Sequence, residues 1–279
     1  MTVKIVTDSG ASSYESNIDG VLHVNVPLTV MVDDKAWIDD ADIDMDAFVA
    51  ALKATKSKTS SSCPNIGNWA EAFDGADEIY VLTITSGLSG SYNSAVQAAE
   101  MYMGEHPDVK IHVFDSLSAG PQIRLLAYRI ADLVNKGMSF DQVVELINDR
   151  IKKTDLLFVL EELDNLANNG RVNKQVAQIA HLLNIYVYGT TSEAGEFDML
   201  GKMRGGKKMH KKLAGVMTDD LGYHGGKVFI DHVNCPDSAE KMANAIKEVY
   251  PDADITISTC GALCTYYAEN GGLMIGFEK

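Results

Sequence analysis

The segment from Thr83 to Ala95, TITSGLSGSYNSA, is dense in hydroxyls and glycine and contains no Lys, Arg, His, Asp or Glu. It follows the short apolar run Ile79-Tyr80-Val81-Leu82. Hydroxyls and bare backbone N–H groups hold anions by hydrogen bonds, best of all beside a helix N-terminus. The segment carries no base, metal ligand or phosphate lysine of its own, so it suits a carboxylate or a similar anion. Each hydrogen bond to an ionised acceptor contributes ~1.5–3 kcal/mol. Each buried methylene adds ~0.8 kcal/mol, so a long acyl tail would dominate such a ligand's affinity.

Three neighbouring motifs fall short of other chemistries. Gly87-Leu88-Ser89-Gly90-Ser91 resembles the G-x-S-x-G elbow of serine hydrolases, with Ser91 in place of the last glycine. A serine-dependent acyl hydrolase using Ser89 is the alternative reading, and it needs a histidine base. None of His23, His106, His112, His181, His210, His224 and His232 stands in a triad context. Gly201-Lys202-Met203-Arg204-Gly205-Gly206-Lys207-Lys208 nearly matches a phosphate loop, but Lys208 replaces the Ser or Thr that would hold magnesium. We read it as a basic turn before the helix MHKKLAGVM, because SEAGEFDML makes a poor buried strand. Six Lys or Arg fall within 202–212 with no acid among them, a docking patch for an anionic partner or a solvated helix face. Asp40-Ala41-Asp42-Ile43-Asp44 opens like a calcium loop, but Met45 and Ala51 occupy the glycine and glutamate positions. Asp44 reads instead as a helix cap.

Elements of alternating type must position these residues. Val3–Val6, Leu22–Val26, Ile79–Ile84 and Ile111–Phe114 read as strands, several of them β-branched as buried parallel strands are. Pro121 opens and Gly137 closes one helix between them. Ser139 and Gln142 have capping-box spacing ahead of a second, whose apolar face is Phe140, Val143, Val144, Ile147 and Ile151. A second series of apolar runs starts near Leu156. The pattern is α/β, with a boundary near 153–160 that predicts domains over 1–155 and 156–279. Thr7–Ser12, Thr83–Ser91 and Asp115–Gly120 each follow a strand. In an open parallel sheet they would share the carboxyl edge, where such folds bind ligands.

The formal net charge of −15 disfavours nucleic acid. Cys63, Cys235, Cys260 and Cys264 show no metal spacing and read as reduced thiols. No run approaches ~18 apolar residues, and MTVKIVTDS enters a strand at once, so neither a membrane span nor a secretory leader is expected. A cytoplasmic protein is expected.

Six boxes in order resemble the DegV family of bacterial fatty-acid-binding proteins, also called FakB. They are Val6-Thr7-Asp8-Ser9, Thr59-Ser60-Ser61-Ser62-Cys63-Pro64, Leu88 to Ala95, Asp115-Ser116, Leu163-Asp164-Asn165-Leu166 with Gly170-Arg171-Val172, and Gly201 to Gly205. The resemblance implies a two-domain DegV-like fold. Its N-terminal domain has a mainly parallel sheet with flanking helices, and a second α/β domain lies at the C-terminus. It implies a carrier, not an enzyme and without a cofactor, for a long-chain fatty acid such as palmitate. The carboxylate contacts it implies fall on Thr59, Ser60 and Ser89, with Gly90 and Ser91 nearby. It also implies a separate fatty acid kinase as partner, faced by Arg171 and by Lys202, Arg204, Lys207 and Lys208. One departure stands out: Tyr267 occupies the position of the family's C-terminal histidine, followed by Glu269 and Asn270 in place of Gly-Pro. A tyrosine can donate a hydrogen bond there but cannot carry imidazole's charge.

Overall fold

A computed structural model describes residues 1–173, 175–176 and 184–279; His181 lies outside the described residues. The strands are β1 (Val3–Asp8), β2 (Asn17–Ile18), β3 (Val21–Val26), β4 (Thr29–Val32), β5 (Lys35–Ile38), β6 (Ser60–Ser62), β7 (Glu78–Thr83) and β8 (Lys110–Asp115). They continue with β9 (Thr154–Leu160), β10 (Ile185–Thr191), β11 (Phe197–Arg204), β12 (Lys227–His232), β13 (Asp254–Thr259) and β14 (Leu273–Glu278). Helices α1 (Met45–Ala54), α2 (Ile66–Phe73), α3 (Ser91–Glu105), α4 (Pro121–Asn135) and α5 (Phe140–Ile151) belong to the first half. The described helices after β9 are α6 (Asp164–Asn168), α7 (Met209–Gly215), α8 (Pro236–Val249) and α9 (Ala262–Ala268).

The first sheet has the order β2-β3-β1-β7-β8, parallel throughout except for the short β2. Parallel strands put the turns after β1, β7 and β8 at one edge, as their sequences predict. There they are laced together: Thr85 N–H donates to Ser118 O at 2.8 Å, and Gly120 N–H to Gly10 O at 2.7 Å. The second sheet, β11-β10-β9-β14-β12-β13, is mixed, with only β12 and β13 parallel among its described pairs. A third, small antiparallel sheet, β5-β4-β6, carries the Thr59–Pro64 box.

Local signals set the helix ends. Ser139 and Gln142 close a reciprocal capping box on α5, Asp44 caps α1 by accepting from Ala47 N–H at 2.9 Å, and Pro121 opens α4. One expectation needs correcting. Gly201-Lys202-Met203-Arg204 is not a turn but the end of edge strand β11, and the turn is confined to 205–208. The outer position of β11 explains this, since a strand with one free edge need not be apolar.

Strand periodicity divides the second sheet into two faces. Leu157, Val159, Leu273, Ile275 and Phe277 pack against α7 and α8. Leu156, Phe158, Leu160 and Met274 face the other way, over the carboxyl edge of the first sheet. Helix α4 lies between the layers, packing on β1 and β7 and also on β9, β12 and β14. Gly276 lets it approach: a Cβ there would stand 2.5 Å from Gln122 N.

Candidate functional site

Between the carboxyl edge of the first sheet and the inner face of the second runs a narrow cavity. The centres of water-sized spheres occupy about 90 Å3 of it. Its walls are Leu28, Ile84, Leu88, Ala119, Leu156, Phe158, Leu160, Leu166, Phe197, Leu263, Cys264, Ala268 and Met274. Phe158 and Phe197 stack with ring centroids 4.4 Å apart. The polar lining is sparse: Ser61, Ser89, Thr191, Arg171 and Tyr267.

Most hydroxyls of the charge-free segment are spent on protein. Thr85 Oγ1 accepts from Gly87 N–H, Ser86 Oγ donates to Asp115, and Ser94 Oγ donates to Pro64 O. Ser91 is fully buried and donates to Asp8 Oδ2 at 2.5 Å. Asp8 also accepts from Ile84 N–H and Gly10 N–H, at 2.9 and 3.1 Å. Burial pushes its carboxyl up to about 7 despite the hydrogen bonds from Ser91, Ile84 and Gly10. A carboxyl raised in the folded state stabilises below its unfolded value of 3.8, and that contribution is lost as pH rises through about 7. From this segment Ser89 is the hydroxyl residue at the cavity, held by Ser91 N–H, which donates to Ser89 Oγ at 3.2 Å.

The structure brings together only part of the expected set. Ser89 and Tyr267 meet at the cavity, and Gly90 lies behind them, 3.3 Å from Cys63 Sγ at its would-be Cβ. Ser60 does not join them: it is exposed, because β6 is a strand and its alternation turns Ser61 inward instead. Ser61 Oγ lies 2.7 Å from Tyr267 Oη. Thr59 is buried against Tyr266 Oη at 2.7 Å and does not line the cavity. Ser91 serves Asp8. A run of hydroxyl residues carries no alternation in its own sequence, so Ser61 could not be distinguished from Ser60 by reading alone.

Arg171 is not a free surface cation. Its Nε donates to Leu88 O at 3.1 Å and its Nη1 to Asn169 O at 2.5 Å, which lays the guanidinium along the cavity wall. Lys202, Arg204, Lys207 and Lys208 are all exposed and lie away from the cavity, with Arg204, Lys207 and Lys208 around an open basin beside α7. No histidine is among the described residues lining the cavity, and the hydrolytic alternative would need one beside Ser89. No cluster among the described residues has a metal-ligating arrangement, and no described helix is long and apolar enough to cross a membrane.

The hairpin joining β10 to β11 closes one side. Gly195 has φ +72°, and a Cβ there would stand 1.9 Å from Thr85 Oγ1, so only glycine allows this hairpin to rest on the Thr83–Ser91 segment.

Comparison with known proteins agrees with this architecture. A DegV domain-containing protein of Streptococcus pneumoniae is 41% identical over 280 residues, spanning 100% of this chain and 99% of its own. Two crystal structures superpose over the full chain. A DegV family protein from Eubacterium eligens loaded with heptadecanoic acid is 40% identical, with a TM-score of 0.96 and all of both chains covered. The Streptococcus pneumoniae Fatty Acid Kinase (Fak) B3 protein loaded with linoleic acid is 41% identical, with a TM-score of 0.96, covering 100% of this chain and 99% of that one. The family model described as "Uncharacterised protein, DegV family" matches residues 2–279, and with these relatives it places this chain in the DegV family.

Proposed function

We propose that this protein is a cytoplasmic fatty-acid carrier that does no chemistry of its own. One long-chain acid, palmitate or a close relative, lies in the cavity. Its carboxylate is held by Ser61, Ser89 and Tyr267 beside the Arg171 guanidinium, and its tail lies between Phe158, Leu263 and Met274. The observation that carries this reading is a cavity with apolar walls and few polar side chains. Fatty-acid-loaded relatives of the same fold support it. The test is mass spectrometry of lipid extracted from the purified protein. A long-chain fatty acid at about one per chain is expected, and protein that emerges lipid-free and takes up none would overturn the reading.

Tyr267→Phe should weaken fatty-acid binding by about 1.5–3 kcal/mol, because the phenol supplies a desolvated, charge-assisted hydrogen bond. Titration of both proteins, with thermal melting as the control for folding, measures it. An unchanged dissociation constant removes Tyr267 from the site.

The carrier hands its acid to a separate kinase that forms the acyl phosphate. A solved relative named as a Fatty Acid Kinase B protein supports this step, as does an exposed basic patch on a chain of net charge −15. Changing both Lys207 and Lys208 to Glu should weaken association with the kinase and leave fatty-acid affinity unchanged. Pull-down and lipid titration of the same variant separate these effects.

A further inference from the structure

Thr59 belongs to the hydroxyl box at the cavity, yet its side chain is committed elsewhere. A chain of hydrogen bonds runs through it. Asn169 Nδ2 donates to Tyr266 Oη at 2.8 Å, Tyr266 Oη and Thr59 Oγ1 are 2.7 Å apart, and Thr59 Oγ1 donates to Asn165 Oδ1 at 3.4 Å. Thr59 has a single hydroxyl proton, and both acceptors within its reach, Tyr266 Oη and Asn165 Oδ1, belong to the protein, so the threonine is engaged away from the cavity. Asn165 is fixed in turn, its Nδ2 donating to Tyr266 O at 2.8 Å and its backbone N–H to Glu269 Oε1 at 2.9 Å.

This chain forms a partition. Thr59 and Tyr266 line a polar cleft with Asn165 and Glu269, and neither lines the apolar cavity. Each link also ends on a group that carries a cavity residue. Thr59 precedes Ser60–Ser62 and so sets the position of Ser61. Asn169, held by the Tyr266 hydroxyl, accepts from Arg171 Nη1. The Tyr266 ring meets Tyr267 edge-on at 4.7 Å. One buried hydroxyl pair thus holds Ser61, Arg171 and Tyr267 in register.

We propose that Thr59 and Tyr266 are a positioning pair, with Thr59 acting on the fatty acid through Tyr266 and not by contact. The inference rests on the carrier reading. Titration with the fluorescent cis-parinaric acid tests it in the full-length protein carrying Thr59→Val, Tyr266→Phe, both together, or Thr59→Ser. Each single change to Val or Phe removes one link and should weaken binding about five- to tenfold. The double variant should bind like either single one, because both cut the same chain. Thr59→Ser should restore affinity to within about twofold, since it keeps the hydroxyl. Asn169→Ala, which cuts the far end, should reproduce the loss if Thr59→Val folds poorly. Losses that multiply in the double variant, or a Tyr266→Phe protein with wild-type affinity beside a weakened Thr59→Val, would mean that Thr59 touches the ligand and would overturn the proposal. A wild-type protein that binds no fatty acid would overturn the carrier reading itself and this pair with it.

Discussion

Arg124→Met should destabilise the folded protein by about 3–5 kcal/mol near neutral pH, the cost of leaving one partner of a buried ion pair uncompensated. Arg124 on α4 is 4% exposed and Asp231 on β12 is 0% exposed. Arg124 Nη2 lies 2.5 Å from Asp231 Oδ1, Nη1 donates to Ser12 O at 3.1 Å, and the guanidinium carbon sits 4.7 Å from the centre of the Phe229 ring. The pair thus pins the second sheet to α4 and, through Ser12, to the turn after β1. Burial pushes the Asp231 carboxyl up to about 6 even with Arg124 beside it. A folded-state value above the unfolded 3.8 means that protonation favours the fold, so Asp231's contribution is full below 3.8 and lost as pH rises through about 6. The variant's deficit is therefore largest above pH 6 and shrinks as acid neutralises the carboxyl. Denaturant unfolding across that range measures both the size and the slope. Adding Asp231→Leu to Arg124→Met should recover most of the loss, because an apolar pair of similar volume tolerates burial where a lone charge does not. A single variant as stable as the wild type at pH 7.5 would show that the pair does not hold the layers together.

Ala119→Phe should nearly abolish fatty-acid binding. Ala119 lies on the turn after β8, where it lines the cavity and packs with both the α4 layer and the inner face of the second sheet. A phenyl ring there occupies the space of about four methylenes. Losing their burial costs ~3 kcal/mol, roughly a hundredfold in affinity. Overpacking would also cost about 1–3 kcal/mol of stability, so melting must accompany the titration. A folded Ala119→Phe protein that keeps wild-type affinity would place the acyl chain outside this cavity.

Residue patterns by themselves determined the α/β class, the four parallel strands of the first sheet, the capped starts of α1 and α5 and the proline start of α4. Each rests on periodicity, on a proline's fixed φ or on side-chain-to-backbone bonds within four residues, and such local effects leave their mark in sequence order. The gathering of three hydroxyl-rich turns at one edge was also legible, because parallel strands allow no other arrangement. The small β5-β4-β6 sheet was not legible: β6 is a run of serines with no alternation, and only its pairing with β4 makes it a strand. That pairing alone decided that Ser61, and not Ser60, turns inward. Edge strand β11 was hidden for a related reason, since its exposed residues carry the polarity of a turn. Tertiary structure also decided which hydroxyls remain available. Ser91 is consumed by Asp8 from 83 residues earlier in the chain, and Thr59 by Tyr266 from 207 residues later. A hydroxyl's chemistry is set by the hydrogen-bond partners that engage it, and partners so distant in sequence are chosen only when the sheets pack.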